Sequence, residues 1–481
     1  MTRLMVVLLS SMLAFACSNP SGNDGGGGGA GGGGGAACHQ DSDCAASEAC
    51  IQSACVSRFS ITVLDPNATE LTFMAMAVDP VAERVGIAYF TPNGTNMDVA
   101  GGLAGFDGGV TVAQSVPNYD LKYVEWKQGV VTGPETLRFM QRMEGVSVAF
   151  NPTNGHPYVA YLGGAPGFVV GQSIFWFQND ATYAERTAPN TWPETVVART
   201  GDQVTCPDTV SNRGFLVGVW PAITFDSTGK MYFVYRDGHD AQFPQQDWGG
   251  SDVEAWDGQP GALTGRCVKS GGSNKRGWGG RIKVALGASE LPVIAYDLVP
   301  NSADGPGSSV MVQNYVAGGG WTMPVEAFGI ANTQSGPSIA YDGRSNPPAV
   351  PENYGLAMFD LATSILTYAR SDDGVQWQSP QDVYALGTGG WWPSLAMDPV
   401  NHEPAIAFYI CDQRQGISDP HNCKQADDEL RIMQRIGGRW QKTTVDMEGG
   451  YLPQLGFFAS GKRVVAYRNK DTGAVKLAVE R

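Results

Sequence analysis

The sequence lacks an excess of basic residues and has few histidines. Its 481 residues carry 32 Lys and Arg against 47 Asp and Glu, for a formal net charge of −15. A nucleic-acid partner requires a basic face, so none is expected. The five His are not paired at metal-ligand spacing, and we expect neither a metal nor a cofactor.

Motifs of common hydrolases and long helical patterns are also missing. There is no Gly-x-Ser-x-Gly elbow and no His-Glu-x-x-His sequence, which argues against the corresponding serine hydrolases and zinc proteases. No long stretch has helical periodicity. The 63 Gly and 29 Pro, distributed among short apolar strands, predict an all-β protein.

The N-terminus has the pattern of an export signal over residues 1–16. Arg3 supplies the charge, and the apolar run from Leu4 to Leu13 is too short to span a bilayer. The ending Ala14-Phe15-Ala16-Cys17 resembles a bacterial lipobox, which implies that Cys17 is lipidated. We therefore expect an outer-membrane lipoprotein, surface-exposed or periplasmic, attached to the membrane only by this anchor; a secreted protein is the alternative.

Residues 17–37 form the predicted anchor and linker, and residues 38–56 a small Cys-rich module. The tract Gly25 to Gly35 is a flexible tether with a mean reach on the order of 20 Å. Four Cys follow it, and their spacing alone allows three pairings. The segment resembles the start of the Dickkopf-type repeats of myxobacterial surface lipoproteins, and the pairing we favour is Cys38–Cys50 with Cys44–Cys55. The module is either a ligand-binding element or a spacer cross-linked by disulfides.

One motif recurs seven times in residues 57–481. Its cleanest copy is Trp392 to Pro399 followed by Pro404 to Tyr409: a strand, a tight turn and a second strand. Repeats of this kind predict a seven-bladed β-propeller with four strands, A to D, from the axis outwards in each blade. The last copy has no strand D before Arg481, so Phe59 to Leu64 is predicted to add to it and close the ring, with Phe59, Ile61 and Val63 buried against that blade.

The segment Arg370 to Trp377 resembles the Asp box of sialidase-like propellers, although Arg370 stands where Ser or Thr is usual. The resemblance implies the fold, with Asp372 holding a hairpin and Trp377 packing between blades. It implies no catalysis, because the arginine motif that sialidases carry beside their first strand is missing. Trp440, at the start of a D strand, is also predicted to pack between blades.

Loop lengths distinguish the two faces of the predicted propeller. The A–B and C–D turns are short, and we call their side the short-turn face. The B–C and D–A connections, such as Thr91 to Tyr119 and Lys269 to Gly280, are long and share the long-loop face, where ligands are expected. Two further disulfides are predicted on this face, Cys206–Cys267 and Cys411–Cys423.

The candidate ligand-binding residues lie on the long-loop face. They are Trp248, Trp278, Trp391, Arg236, Asp237, His239 and Asp240. Aromatic rings suit stacking on sugars, and the polar cluster, with Asp226, could also be an acid–base or metal group. Trp220 and Trp392 are assigned to packing between blades.

These features predict a non-catalytic, surface-displayed, monomeric binding protein whose ligand is a glycan or a protein. The alternative is a glycoside hydrolase or lyase on the same scaffold, which would place two carboxylates about 5–10 Å apart in the central depression.

Overall fold

The computed structural model describes residues 40, 43–44, 47–69, 73–100, 113–140, 145–163, 168–170, 173–175, 180–199, 206, 217–237, 252–270, 276–300, 309–318, 320–329, 335–343, 353–411 and 428–481. These residues are almost entirely β-structure, with one short 3-10 turn at Ala288–Glu290. Among them there is no helix long and apolar enough to cross a membrane.

The N-terminal module is a two-stranded hairpin that leads directly into the propeller. Strands β1 (Glu48–Ile51) and β2 (Ala54–Ser57) pair with each other, and β3 (Phe59–Asp65) follows after one residue. The disulfide Cys44–Cys55, one of the two favoured from the sequence, is present. Cys50 is also disulfide-bonded, while Cys38 lies outside the described residues.

Seven antiparallel sheets follow, as the repeat predicted. Blade 1 consists of β4 (Met74–Asp79), β5 (Arg84–Ala100), β6 (Ala113–Lys127) and β7 (Val130–Met140). Blade 2 consists of β8 (Val146–Phe150), β9 (Pro157–Leu162), β12 (Ala181–Glu185) and β13 (Glu194–Ala198), with a separate hairpin of β10 (Phe168–Val170) and β11 (Ser173–Phe175). Blade 3 consists of β14 (Val217–Phe225), β15 (Met231–Asp237), β16 (Asp252–Gln259) and β17 (Ala262–Lys269).

Blade 4 has a divided outer strand, and the remaining blades are regular. Blade 4 consists of β18 (Arg276–Leu286), β19 (Pro292–Pro300), β20 (Ser309–Val316), β21 (Gly320–Trp321) and β22 (Val325–Gly329), the last two both pairing with β20. Blade 5 consists of β23 (Ser338–Tyr341), β24 (Tyr354–Asp360), β25 (Ile365–Ser371) and β26 (Gln381–Tyr384). Blade 6 consists of β27 (Gly389–Met397), β28 (Pro404–Ile410), β29 (Glu429–Ile436) and β30 (Arg439–Asp446).

Blade 7 joins the two ends of the described chain. Its first three strands are β31 (Tyr451–Phe457), β32 (Arg463–Arg468) and β33 (Val475–Glu480), and β3 is its outer strand. The register places Phe59 opposite Glu480 and Thr62 opposite Leu477. The predicted closure is confirmed, and it removes the unpaired edge that β33 would otherwise expose.

Two details of the prediction are wrong. Ile61 and Val63, expected to be buried with Phe59 against the last blade, are 41% and 49% exposed. They lie on an outermost strand, beyond the reach of the neighbouring blade. The segment Thr91 to Tyr119 is not simply a loop, because β5 and β6 continue their pairing as far as Ala100 and Ala113.

Apolar clusters fill every seam between neighbouring blades. The Trp440 ring of blade 6 lies 5.3 Å from the Tyr368 ring of blade 5, measured between centroids. Trp377 packs against the cluster shared by blades 4 and 5. The prediction that both tryptophans pack between blades is confirmed.

The short-turn face is held by contacts between the A–B turns of successive blades. Short side chains shape these turns: Asp398 Oδ1 accepts from the Val400 amide at 2.8 Å, and Asp226 Oδ1 from the Thr228 amide at 3.0 Å. The contacts between turns, in blade order, are Arg84 with Gly155, Thr153 with Gly229, Ser227 with Glu290, Ala288 with Tyr354, Asp342 with His402, Val400 with Gly461, and Ala459 with Pro80. They form an unbroken ring.

The Asp-box-like hairpin uses different residues from those the resemblance implied. Asp373 Oδ1, not Asp372, accepts from the amides of Val375 and Gln376, at 2.8 and 2.7 Å. The Gly374 amide donates to Ser371 Oγ at 2.9 Å. Ser371 therefore occupies the Ser or Thr position of the Asp box, which the resemblance assigned to Arg370. The motif begins one residue later than the resemblance implied.

Candidate functional site

An axial cavity lies where the seven inner strands begin, at the long-loop face. Its volume is about 90 Å³. Every blade contributes to its lining, which consists of Phe73, Met74, Gly145, Val146, Trp220, Pro221, Arg281, Ile282, Lys283, Ser335, Pro337, Trp392, Pro393, Leu452 and Gln454. No carboxylate is among these residues.

Six of the seven inner strands approach this cavity through a residue with a left-handed backbone. Two are glycines, Gly145 and Gly336; the others are Trp220, Arg281, Trp392 and Leu452, with φ between 46° and 53°. The register of all four non-glycine strands shifts at these positions. Left-handed backbone is unfavourable for side chains other than glycine, and such strain clusters at functional sites. A bulge also redirects the side chain, and these four line the cavity.

Trp392 forms the aromatic side of the axial cavity. It is half-buried, with its ring centroid 4.9 Å from Tyr451 and 6.0 Å from Tyr409. These rings fix its orientation while one part of it stays accessible. An indole held in this way can stack on an apolar face of a ligand.

Trp220 and two arginines form the opposite side. The Arg236 and Arg281 guanidinium carbons lie 5.5 and 5.6 Å from the centre of the Trp220 ring, which is cation–π distance. Arg281 Nη1 donates to Asp297 Oδ2 at 2.9 Å, and the Asp297 side chain is fully buried. The charge of Arg281 is thus balanced within blade 4.

Lys283 is the second cationic residue of the lining. It lies two residues beyond Arg281 on β18 and is exposed to the cavity. Solvent reaches Lys283 through the opening, while the protein packed around the cavity lowers the pKa of its ammonium by partial desolvation. Within the described part of the chain, no carboxylate or other acceptor is bonded to it.

The structure corrects the assignment of Trp278 and Trp391 as exposed platforms. Trp391 is 2% exposed and packs on Phe359, with centroids 5.2 Å apart; Trp278 is 8% exposed and lies 6.4 Å from Tyr296. Both were assigned to loops, but the inner strands β18 and β27 begin before them, so their rings enter the seams. Trp248 lies outside the described residues.

The predicted polar cluster is divided by the fold. Arg236 and Asp237 end β15 below the long-loop face and are fully buried, so they support the cavity wall and are not open to a ligand. Asp226 lies at the other end of the same strand pair, on the short-turn face, and does not join them. His239 and Asp240 are outside the described residues. No group of three metal-ligating side chains occurs among the residues described.

A tyrosine recurs at the same position of the B strand in six blades, and its hydroxyl donates to an acid or amide. The pairs are Tyr89–Asp65, Tyr161–Glu194, Tyr235–Glu254, Tyr296–Gln313, Tyr409–Asp428 and Tyr467–Asp446. Burial and, next, the neighbouring Glu194 raise the pKa of Tyr161. A Tyr–Glu pair can act as a nucleophile. Two of the six pairs are Tyr–Glu, Tyr161–Glu194 and Tyr235–Glu254, and four other blades repeat the contact with Asp or Gln. Tyr235 and Glu254 are also fully buried. We therefore assign all six pairs to blade packing.

The disulfide Cys206–Cys267, predicted on the long-loop face, is present and attaches the D–A connection to the outer strand of blade 3. Cys411, at the end of β28, is also disulfide-bonded. Cys423 and Cys17 lie outside the described residues.

Sequence reasoning missed Arg281 and Lys283 and assigned Trp220 and Trp392 to packing. A signal was available in the repeat itself. Aligning the copies on their inner strands places Gly145, Trp220, Arg281, Gly336, Trp392 and Leu452 in one column. A column that mixes Gly with large side chains indicates an unusual backbone rather than a core position.

No protein-family model matches the sequence, and no curated protein matches it. Among solved structures, the chain is similar to an ulvan lyase of a new polysaccharide lyase family, at 11% identity and a TM-score of 0.51, over 88% of this chain and 96% of the other. It is also similar to the NanB sialidase of Streptococcus pneumoniae (7% identity, TM-score 0.43, 88% and 71% covered) and to the α-L-arabinofuranosidase Arb93A of Fusarium graminearum (10%, 0.39, 88% and 96%). The likeness shows the fold. It is that of a seven-bladed β-propeller.

Proposed function

We propose that this protein is a non-catalytic binding protein that holds a glycan at the long-loop mouth of the propeller. The observation that carries this proposal is the axial cavity, which every blade lines and whose lining includes Trp220, Trp392 and the cationic Arg281 and Lys283. The half-buried Trp392 offers a stacking surface whose position its aromatic neighbours hold. A surface held rigid before binding loses little side-chain entropy on binding.

The absence of carboxylates from the described lining supports binding over glycosidase chemistry. A glycosidase of the common type needs two carboxyl groups flanking the scissile bond. Carboxylates on strands β15, β16 and β19, in the two blades that carry Trp220 and Arg281, are fully buried; Asp297 is bound to Arg281, and Glu254 to Tyr235.

A glycan array with full-length protein in detergent micelles tests this proposal, with Trp392→Ala as the comparison. We expect a defined class of glycans to bind, and the variant to lose them. Each glycan that binds is then incubated with the protein and assayed for new reducing ends and for unsaturated products. Release of either product would support the enzyme alternative. If the protein binds a protein ligand and no glycan, the proposal of a glycan ligand is rejected.

We further propose that the protein is displayed on the outer membrane through a lipid on Cys17. The lipid would be attached through the sulfur of the cysteine that follows the export signal, and Ser has no sulfur to carry it. In cells expressing Cys17→Ser, the protein should move from the membrane fraction to the periplasm or medium. Retention of the variant in membranes would reject the anchor.

A further inference from the structure

The charges of the axial cavity do not balance among the described residues. Two cations line it, Arg281 and Lys283, and no carboxylate does. Arg281 is paired with Asp297 at 2.9 Å, so its charge is already compensated. One positive charge, on Lys283, is left, in a chain whose formal net charge is −15.

An ammonium without a partner in this position favours an anion. Protein from all seven blades lines the cavity and displaces part of the water around Lys283, although the side chain stays exposed through the opening, and the attraction between opposite charges is stronger where water is partly excluded. The partial loss of water also lowers the pKa of Lys283. An anion that enters the cavity would restore the balance of charge.

A second donor faces the same space. Ser335, on the blade 5 side of the lining, has a buried hydroxyl without a hydrogen-bond partner within the described residues. Gln454, by contrast, uses its amide to donate to the Pro453 carbonyl at 2.9 Å. Lys283 and Ser335 therefore offer donors to an incoming acceptor.

The size of the cavity limits what can enter. Its volume of about 90 Å³ is far below the several hundred Å³ of a pocket that encloses a drug-sized ligand. A single substituent fits inside, while the rest of the ligand lies across the mouth beside Trp392.

We infer that the axial cavity binds one anionic substituent of the glycan, a carboxylate or a sulfate ester, with the ammonium of Lys283 as its counter-ion. The inference rests on the proposed function, because the glycan presents the anion. It adds a selection rule: acidic glycans are preferred over their neutral counterparts.

The test uses three probes with the full-length protein: inorganic sulfate, an oligogalacturonate, and the same oligomer as its methyl ester. The ester differs from the acid in charge but not in its sugar rings. Calorimetry gives the affinity of each probe for the parent, for Lys283→Met and for Lys442→Met. Lys442 lies exposed on the outer strand of blade 6, so its variant has the same charge change away from the cavity.

We expect the parent to bind the acid about tenfold or more tightly than the ester, the range of a hydrogen bond to a charged group. Lys283→Met should lose this preference and its sulfate binding, while Lys442→Met keeps both. Lys283→Arg should retain part of the preference. Melting curves of all variants verify that they are folded.

The outcomes separate this inference from the proposed function. If acid and ester bind equally, and Lys283→Met changes neither, the glycan-binding function stands and the anion site is rejected. If sulfate binds through Lys283 but no glycan binds on the array, the anion site stands and the glycan function is rejected. If sulfate binding is absent, or is unchanged in Lys283→Met, the anion site is rejected.

Discussion

The two faces of this propeller are built from the same seven repeats but differ in backbone conformation. On the short-turn face, Asp and Asn side chains shape most of the A–B connections, of which only that of blade 5, from Tyr341 to Tyr354, is long, and neighbouring blades contact each other there around the ring. On the long-loop face, strand beginnings are bulged and left-handed, and their side chains surround a cavity. At the short-turn face, side chains of the turns accept hydrogen bonds from the backbone of the same turns. At the long-loop face, the inner strands begin with strained backbone.

The difference indicates where stability and recognition reside. Strain of this type is retained only when the surrounding structure enforces it. The ring of turns and the blade seams provide that rigidity, so the cavity can hold residues such as Trp220 and Arg281 in unfavourable backbone. Changes to the ring and seams should therefore reduce stability, and changes to the cavity lining should reduce binding.

The largest effect should come from opening the ring. Deleting Ser57 to Leu64 removes β3, exposes the edge of β33, and takes the buried Phe59 and Leu64 from the core at about 1.5–3 kcal/mol each. The truncated protein should aggregate or melt far below the parent in calorimetry. Deleting the Gly25 to Gly35 tract serves as the control and should leave the melting temperature unchanged; an equally stable truncation would mean that β3 does not close the ring.

The next test compares two adjacent tryptophans. Trp391 is buried in a seam, so Trp391→Ala should destabilise the protein by about 3–5 kcal/mol, the range for truncating a buried aromatic. Trp392 is half-buried at the cavity, so Trp392→Ala should lower glycan affinity with a smaller loss of stability. Chemical denaturation and array binding measure the two effects. The reverse pattern would place the binding surface elsewhere.

A smaller effect is expected from acid at the closure of the ring. Burial acts to raise the pKa of Glu480, but hydrogen bonds and charge from Arg463 outweigh it and hold this pKa below its ordinary value. The stabilisation is therefore present above the ordinary pKa of Glu and is lost as pH falls through the folded-state value. Denaturation at pH steps from about 7 to about 3 should show a weaker acid dependence for Glu480→Gln than for the parent. Identical slopes would show that this ion pair does not contribute.

The smallest effect concerns the hairpin on the short-turn face. Asp373→Ala removes the acceptor for two backbone amides and should cost about 1 kcal/mol, as loss of a comparable capping side chain does. Asp372→Ala, at the exposed neighbouring position, should leave stability nearly unchanged. Denaturation curves distinguish the two. An effect at Asp372 alone would restore the register implied by the Asp-box resemblance.

Most of the fold could be predicted from the sequence because its determinants are local and repeated. Alternation with a period of two marks each strand, and Asp398-Pro399 or its equivalent marks each turn. The absence of an outer strand after Val475 to Glu480, with a spare strand at Phe59, predicted the closure. The pairing Cys206–Cys267 followed from placing a D–A loop and the end of a D strand on the same face.

The candidate site depended on the tertiary structure. Trp391 and Trp392 are neighbours with the same side chain, and only a left-handed backbone at Trp392 turns one towards the axis while the other enters a seam. Lys283 has no sequence neighbour that marks it; it becomes an uncompensated charge because seven strands converge around it. Periodicity determines which residues face a neighbouring blade, but the lining of an axis is decided by the convergence of distant strands, which no local pattern records.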